Sequence, residues 1–328
     1  MKAHLITSPE NLRYIANFTG EGAVLITSSG KILFTDGRFT IQAQNECPDF
    51  EIIVTNDYVS EIKKLHIFKL FVEKNKMTVS EYTRLKKHLP FTYFANLSPQ
   101  LKDMRTIKTD DEIEKIAHSA EIANSGFEHI KSFIKAGMSE REVALELELY
   151  VRKHGAEALS FDIIVASAER AAMAHASITD SLIPNNTYVL LDFGVKYKGY
   201  CSDMTRMIKI GKPPEELQKI YEIVKDAQSA ALSIVKAGVS TKDVDEAARE
   251  VIKNAGYGEQ FVHSTGHGVG LNIHEEPRIS SKSDAVLEAG MVITIEPGIY
   301  IEGIGGVRIE DMILVTKDGY RNFSVQDK

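Results

Sequence analysis

Apolar residues in the first hundred positions come in short runs rather than long stripes. "GAVLITSSGKILFTD", from Gly22 to Asp36, holds two apolar runs split by Ser-Ser-Gly, the pattern of a β-hairpin. "FEIIVT" from Phe50 and "IFKLFVE" from Ile67 read as buried strands. "VSEYTRLKKHL" from Val79 reads as a helix with Ser80 as its expected cap. Strands mixed with helices predict a small α/β domain over residues 1–105. The pattern then changes. Ile113, Ile116, Ala120, Ala123, Phe127, Ile130 and Ile134 form a stripe at helical spacing. Thr109 and Glu112 stand at capping-box spacing, and acids crowd the first turn where the helix dipole favours them. The boundary is expected near residue 106, with a second domain over 106–328.

The second domain repeats itself. "IKAGMSEREVALELELYVRKHGA" from Ile134 matches "VKAGVSTKDVDEAAREVIKNAGY" from Val235, with Gly137 and Gly155 facing Gly238 and Gly256 at an offset of 101. Each copy predicts a helix capped by Ser139 or Ser240 and ended by a glycine just past its C-terminus. "AMAHAS" around His175 then aligns with "LNIHEEP" around His274. "YVLLDFGVKYKGYCSDMTRMIKI" aligns with "MVITIEPGIYIEGIGGVRIEDMILV", pairing Asp192 with Glu296 and Asp203 with Glu310. A period near 100 is too long for a solenoid. It predicts an α+β domain of two halves about a pseudo-twofold axis, where matching groups converge.

Composition narrows the function classes. The chain has 328 residues, 43% apolar and 26% charged, with a net charge of −7. That balance argues against a nucleic-acid surface, which needs a basic patch. The densest basic stretch, "RLKKH" from Arg84, reads as a solvated helix face. No stretch has the length and apolarity of a membrane span or signal peptide. Two cysteines, Cys47 and Cys201, cannot build a disulfide framework. A cytoplasmic location is the expectation.

The candidate chemistry lies where acids interrupt strands otherwise suited to burial. Asp192 and Glu296 end apolar runs, and Asp203 and Glu310 stand on the return strands. A buried carboxylate is costly unless it is paired or bound to metal. Four together call for neutralisation, and two divalent cations with bridging carboxylates supply it. "HSTGHGVGLNIHEEP" packs His263, His267 and His274 among glycines, and His267 would add an imidazole ligand. Taken singly, Asp192 also fits a strand-end turn, and Glu310 beside Asp311 a solvated edge. The repeat-related set of five favours a metal site. His4, His66, His88, His118, His129 and His154 lie outside it.

The motifs "LDFGVKYKGYCSDMTR", "HSTGHGVGLNIHEEPRIS", "TIEPGIY" and "GGVRIED" resemble those of the pita-bread metallopeptidases, which include Xaa-Pro dipeptidases (prolidases), Xaa-Pro aminopeptidases and methionine aminopeptidases. "NLRYIANFTG" and "TDGRFTIQA" resemble the creatinase-type N-terminal domain, which favours the proline-directed branch. The resemblance implies that Asp192, Asp203, His267, Glu296 and Glu310 hold two metal ions, Asp203 and Glu310 bridging both. It gives Glu296 a proton-shuttle role and sets His175 and His274 against the substrate. His263 and Arg308 match supporting residues, and Thr205 suits a hydrogen bond to a ligand carboxylate. One histidine among carboxylates suits Mn²⁺, with Co²⁺ and Zn²⁺ as alternatives. Two departures, Ala168 for a usual glycine and Ala174 for a usual proline, both lie on the loop that delivers His175.

The implied reaction is hydrolysis of the bond preceding proline in a peptide, and the family implies a homodimer. Arg278 matches an arginine that reads the free carboxylate of dipeptides, which favours a dipeptidase over an Xaa-Pro aminopeptidase. A non-catalytic binding protein of the same fold is the competing class, and the complete ligand set argues against it.

Overall fold

The computed structural model describes residues 1–326 and 328. It divides into two compact units, Met1–Met104 and Arg105–Lys328.

In the first unit the Ser-Ser-Gly break closes the expected hairpin. Strands β1 (Lys2–Ile6), β2 (Gly22–Thr27), β3 (Lys31–Thr35), β4 (Glu51–Val54), β5 (Lys69–Val72) and β6 (Tyr93–Asn96) form one sheet in the order β4-β3-β2-β1-β5-β6. β1–β2 and β2–β3 pair antiparallel and the others parallel. Helices α1 (Pro9–Ala16), α2 (Thr40–Glu46), α3 (Tyr58–Lys64) and α4 (Val79–His88) accompany it, and α5 (Ser98–Thr106) runs across the division. Leu5, Leu25, Phe34 and Leu70 pack in one core, and Ile6, Val24 and Leu33 in another. Burial on both faces explains why these strands read as unbroken apolar runs. The cap of α4 is Thr78, not Ser80: Thr78 accepts from the Glu81 amide at 3.2 Å, and Glu81 reaches back to the Thr78 amide. The reciprocal box needs an acid three residues on, which Ser80 lacks.

The second unit opens with α6 (Asp110–Phe133), capped by the Thr109–Glu112 box, and α7 (Glu140–Lys153). Strands β7 (Ala158–Leu159), β8 (Ile164–Ser167), β9 (Thr187–Phe193), β10 (Val195–Tyr197), β11 (Tyr200–Cys201) and β12 (Met204–Ile210) complete the first half. The second half carries α8 (Glu215–Ile234), α9 (Thr241–Asn254), β13 (Gly266–Gly268), β14 (Glu275–Ile279), β15 (Val292–Ile295), β16 (Gly298–Ile301), β17 (Gly305–Arg308), β18 (Asp311–Val315) and β19 (Tyr320–Asn322). Two sheets matter for the site, β12-β9-β8 and β14-β13-β15-β18-β19.

The repeat is structural down to individual hydrogen bonds. The Gly137 amide donates to Ile183 O and the Gly238 amide to Leu287 O, both at 2.8 Å, and each acceptor residue returns a bond to Met138 or Val239. Gly155 and Gly256 follow the helix ends at φ 103° and 91°, a region that favours glycine.

Strand alternation explains where the acids point. In β9, Val189, Leu191 and Phe193 join the core with α6 and α7, while Tyr188 and Leu190 join the core with α8 and α9. Period two puts Asp192 on the Tyr188–Leu190 face. Across the ladder Thr205 stands opposite Asp192. The two halves are stitched by Arg206, about 1% exposed, whose guanidinium donates to Thr205 O at 3.0 Å, to Glu310 O, and to Asp311 Oδ1 at 2.8 Å.

Candidate metal centre

Asp192 lies one residue before the end of β9 and Asp203 just before β12. Glu296 follows β15 and Glu310 precedes β18. Asp203, Glu296 and Glu310 flank strand ends, whereas Asp192 is still held within the β9 ladder. Asp203, His267 and Glu310 each offer a ligand atom, all within 4.8 Å of one another. His267 Nε2 lies 3.3 Å from Glu296 Oε1 and 3.5 Å from Asp203 Oδ2. All five predicted ligands are buried or nearly so. Glu310 and its neighbour Asp311 are both buried and form no solvated edge.

The protonation pattern calls for a cation. His267 Nδ1 sits 3.0 Å from Gly268 O, an acceptor, so that nitrogen carries the hydrogen. Burial holds the His267 pKa down and the ring neutral. Its Nε2 lone pair then faces carboxylate oxygens, which is repulsive unless a proton or a metal cation lies between them. Burial, then neighbouring carboxylates, pushes Asp203 and Glu310 well above the ordinary carboxylate range. Burial likewise raises Glu296. Asp192 Oδ1 is buried and has no hydrogen-bond partner. An orphaned acceptor, a bare imidazole lone pair and crowded carboxylates fit divalent cations.

A polar scaffold holds this set. Thr205 Oγ donates to Glu310 Oε2 at 2.7 Å, the kind of bond expected of it. Arg308 donates to Thr205 Oγ at 3.1 Å, Tyr300 Oη at 2.6 Å, Ala174 O at 3.1 Å and, through its other terminal nitrogen, Asp192 Oδ2. His263 Nδ1 lies 2.8 Å from Ser264 O and therefore carries the hydrogen, so Tyr300 donates to Nε2 at 2.9 Å. Burial raises the Tyr300 hydroxyl to about 12, which keeps it a donor.

The remaining predicted residues gather around the centre. The His274 ring meets His267 edge to face with centroids 4.3 Å apart. His175 lies on the exposed loop after the short 3-10 turn Ala168–Ala172; burial holds the His263 and His274 pKa values down, and the proximity of His175 adds a smaller effect in the same direction. Arg278 is exposed on β14, and its charge adds to the burial that disfavours protonation of His267 and His274. Ala168 adopts φ 50°, a left-handed conformation that disfavours an L side chain and that glycine would take without strain.

Several residues were not legible. Tyr300 bridges His263 and Arg308 but reads as one more apolar strand position. Asp245, with no exposed surface, accepts from Arg249 through both oxygens at 3.0 Å and from Thr265. Its signal was a charge on the buried stripe of Val244, Ala248 and Ile252.

Comparison with known proteins identifies the family and the fold. Residues 114–317 match metallopeptidase family M24, and residues 1–107 match the creatinase/prolidase N-terminal domain. An uncharacterized peptidase, YqhT, of Bacillus subtilis (strain 168) is 42% identical over 330 residues, covering 99% of this chain and 94% of the relative. A solved Xaa-Pro dipeptidase from Bacillus anthracis is 44% identical with a TM-score of 0.95, covering 99% of this chain and 93% of that one. A solved X-Pro aminopeptidase from Thermotoga maritima MSB8 is 38% identical with a TM-score of 0.94, covering 100% and 96%.

Proposed function

Because the chain belongs to metallopeptidase family M24 and carries a creatinase/prolidase N-terminal domain, we propose that it hydrolyses the bond preceding proline in Xaa-Pro dipeptides, using a two-metal centre. Asp192, Asp203, His267, Glu296 and Glu310 would hold the two ions. Their oxygen-rich donor set suits Mn²⁺, with Co²⁺ and Zn²⁺ as alternatives. Bound there, the metals supply a Lewis acid for the carbonyl and lower the pKa of the attacking water. The chain's own groups do the rest. His274 and His175 face the reacting carbonyl and donate to the charge that develops on its oxygen. Glu296 takes a proton from the attacking water and passes it to the leaving proline nitrogen, which has no hydrogen of its own in the peptide. Tyr300 and Arg308 fix His263 and Asp192 in place. Both cysteines are buried and unpaired, which suits a reducing cytoplasm. Among the described residues no helix is long and apolar enough to cross a membrane. A homodimer and a proline-containing peptide partner belong to the same proposal.

The observation that carries the dipeptide reading is Arg278. Period two along β14 puts it on the strand face opposite the buried Pro277 and Ile279, its charge reaching His267 and His274. A dipeptide offers a carboxylate directly after proline, and a charged hydrogen bond to it contributes about 1.5–3 kcal/mol. A longer peptide offers only a neutral carbonyl there. The test is kcat/KM on Xaa-Pro and Xaa-Pro-Xaa substrates with metal supplied, before and after Arg278→Ala. A loss of roughly ten- to a hundredfold is expected on dipeptides, and much less on tripeptides. Equal losses, or none on either, remove the reason for preferring the dipeptidase reading over the aminopeptidase one.

A further inference from the structure

His175 rides on a loop whose two arms are tied to one buried carboxylate. Glu140, the first residue of α7, has no exposed surface. Its oxygens accept from the Ser167 amide at 3.2 Å, from Arg170 Nε at 3.0 Å to each oxygen, and from Thr179 Oγ at 2.9 Å. Arg170 then crosses the loop, its Nη2 donating to Ser177 O at 2.6 Å. Ser167 and Arg170 precede His175, while Ser177 and Thr179 follow it. The tip gains a further tie at Ala174 O from Arg308, which also grips Asp192. The His175 ring itself is exposed and has no hydrogen-bond partner among the described residues. The loop needs such bracing, since Ala168 keeps it in a left-handed turn at φ 50°.

We propose that the Glu140–Arg170 pair positions His175 for the reaction, acting as a clamp across the base of its loop. Glu140 and Arg170 are positioning residues: they touch the loop, not the reacting atoms. The proposal rests on reading His175 as a substrate-facing group. Its physical basis is that one carboxylate, held rigidly by a helix terminus, fixes both arms at once. A loop tied at one arm could swing its tip, and a misplacement near 1 Å can cost roughly a hundredfold in rate.

A double-mutant cycle separates positioning from plain stability. Arg170→Met and His175→Ala would be made singly and together. kcat/KM on an Xaa-Pro substrate, bound metal by elemental analysis, and amide hydrogen exchange over 168–177 would be measured in each. Arg170→Met should lower kcat/KM roughly ten- to a hundredfold with metal content unchanged, and should speed exchange in the loop. In the His175→Ala background the same change should cost almost nothing more, because the group it positions is gone. Arg170→Lys should restore only part, since Arg170 reaches Glu140 and Ser177 O through two separate nitrogens and lysine has one. Thr179→Val, which removes one of the bonds to Glu140 along with the hydroxyl's contacts to Ser181, gives a second cycle should Arg170→Met fail to fold. An Arg170 effect that multiplies undiminished in the His175→Ala background, or full activity in Arg170→Met, overturns the clamp. Unchanged activity in His175→Ala alone overturns the reading of His175 itself, and with it the clamp.

Discussion

Asp203→Asn tests the centre by a change of sign in stability. In the metal-free protein, burial and the charges of Glu310, Asp192 and Glu296 hold the Asp203 carboxyl well above its ordinary range. Glu310 is raised in the same way. A group whose folded pKa lies above its unfolded one contributes stability at low pH, and that stability is lost as pH rises through the folded value. The metal-free wild type should therefore lose thermal stability as pH rises out of the acid range. Divalent metal reverses the loss: at a thousandfold excess over Kd, even one bound ion adds about 4.1 kcal/mol. At about 2–4 °C per kcal/mol for a domain of this size, the Tm should rise by about 8–16 °C. The amide that Asp203→Asn introduces cannot ionise, so the metal-free variant should show a flatter pH profile. It should also lose most of the metal-induced shift, because the charge between His267 and Glu310 is gone. Scanning fluorimetry with chelator or Mn²⁺ across pH, together with elemental analysis, reads all three effects. Two ions retained with a full Tm shift in the Asp203→Asn variant would refute the reasoning. So would a metal-free wild type that grows more stable through the same pH range.

Two further outcomes follow from the scaffold. Thr205→Val strands Glu310 Oε2 and Arg308 Nε without their shared hydroxyl, and metal affinity should fall about 10–100-fold by titration while the fold survives. Arg206→Met leaves Asp311 without its buried guanidinium partner and unties β12 from β18, and should cost about 3–5 kcal/mol in chemical denaturation.

The sequence by itself determined the two-unit α/β and α+β plan, the long helices with their caps, and the repeat, because each rests on periodicity and local hydrogen bonding. It also picked out the acids that interrupt apolar strands, since a buried carboxylate stands out against Val, Leu and Ile. What only the tertiary structure decided is which polar groups meet across the halves. Arg206 reaches Asp311, Thr205 reaches Glu310, and Arg308 gathers Ala174, Tyr300 and Asp192, all over roughly a hundred residues or from neighbouring hairpins. None of these has a local pattern. Glu140 reads in sequence as an acid placed for the helix dipole, and Arg170 as a loop cation. They become a clamp only because packing removes water from the carboxylate and leaves the loop's own donors as its partners.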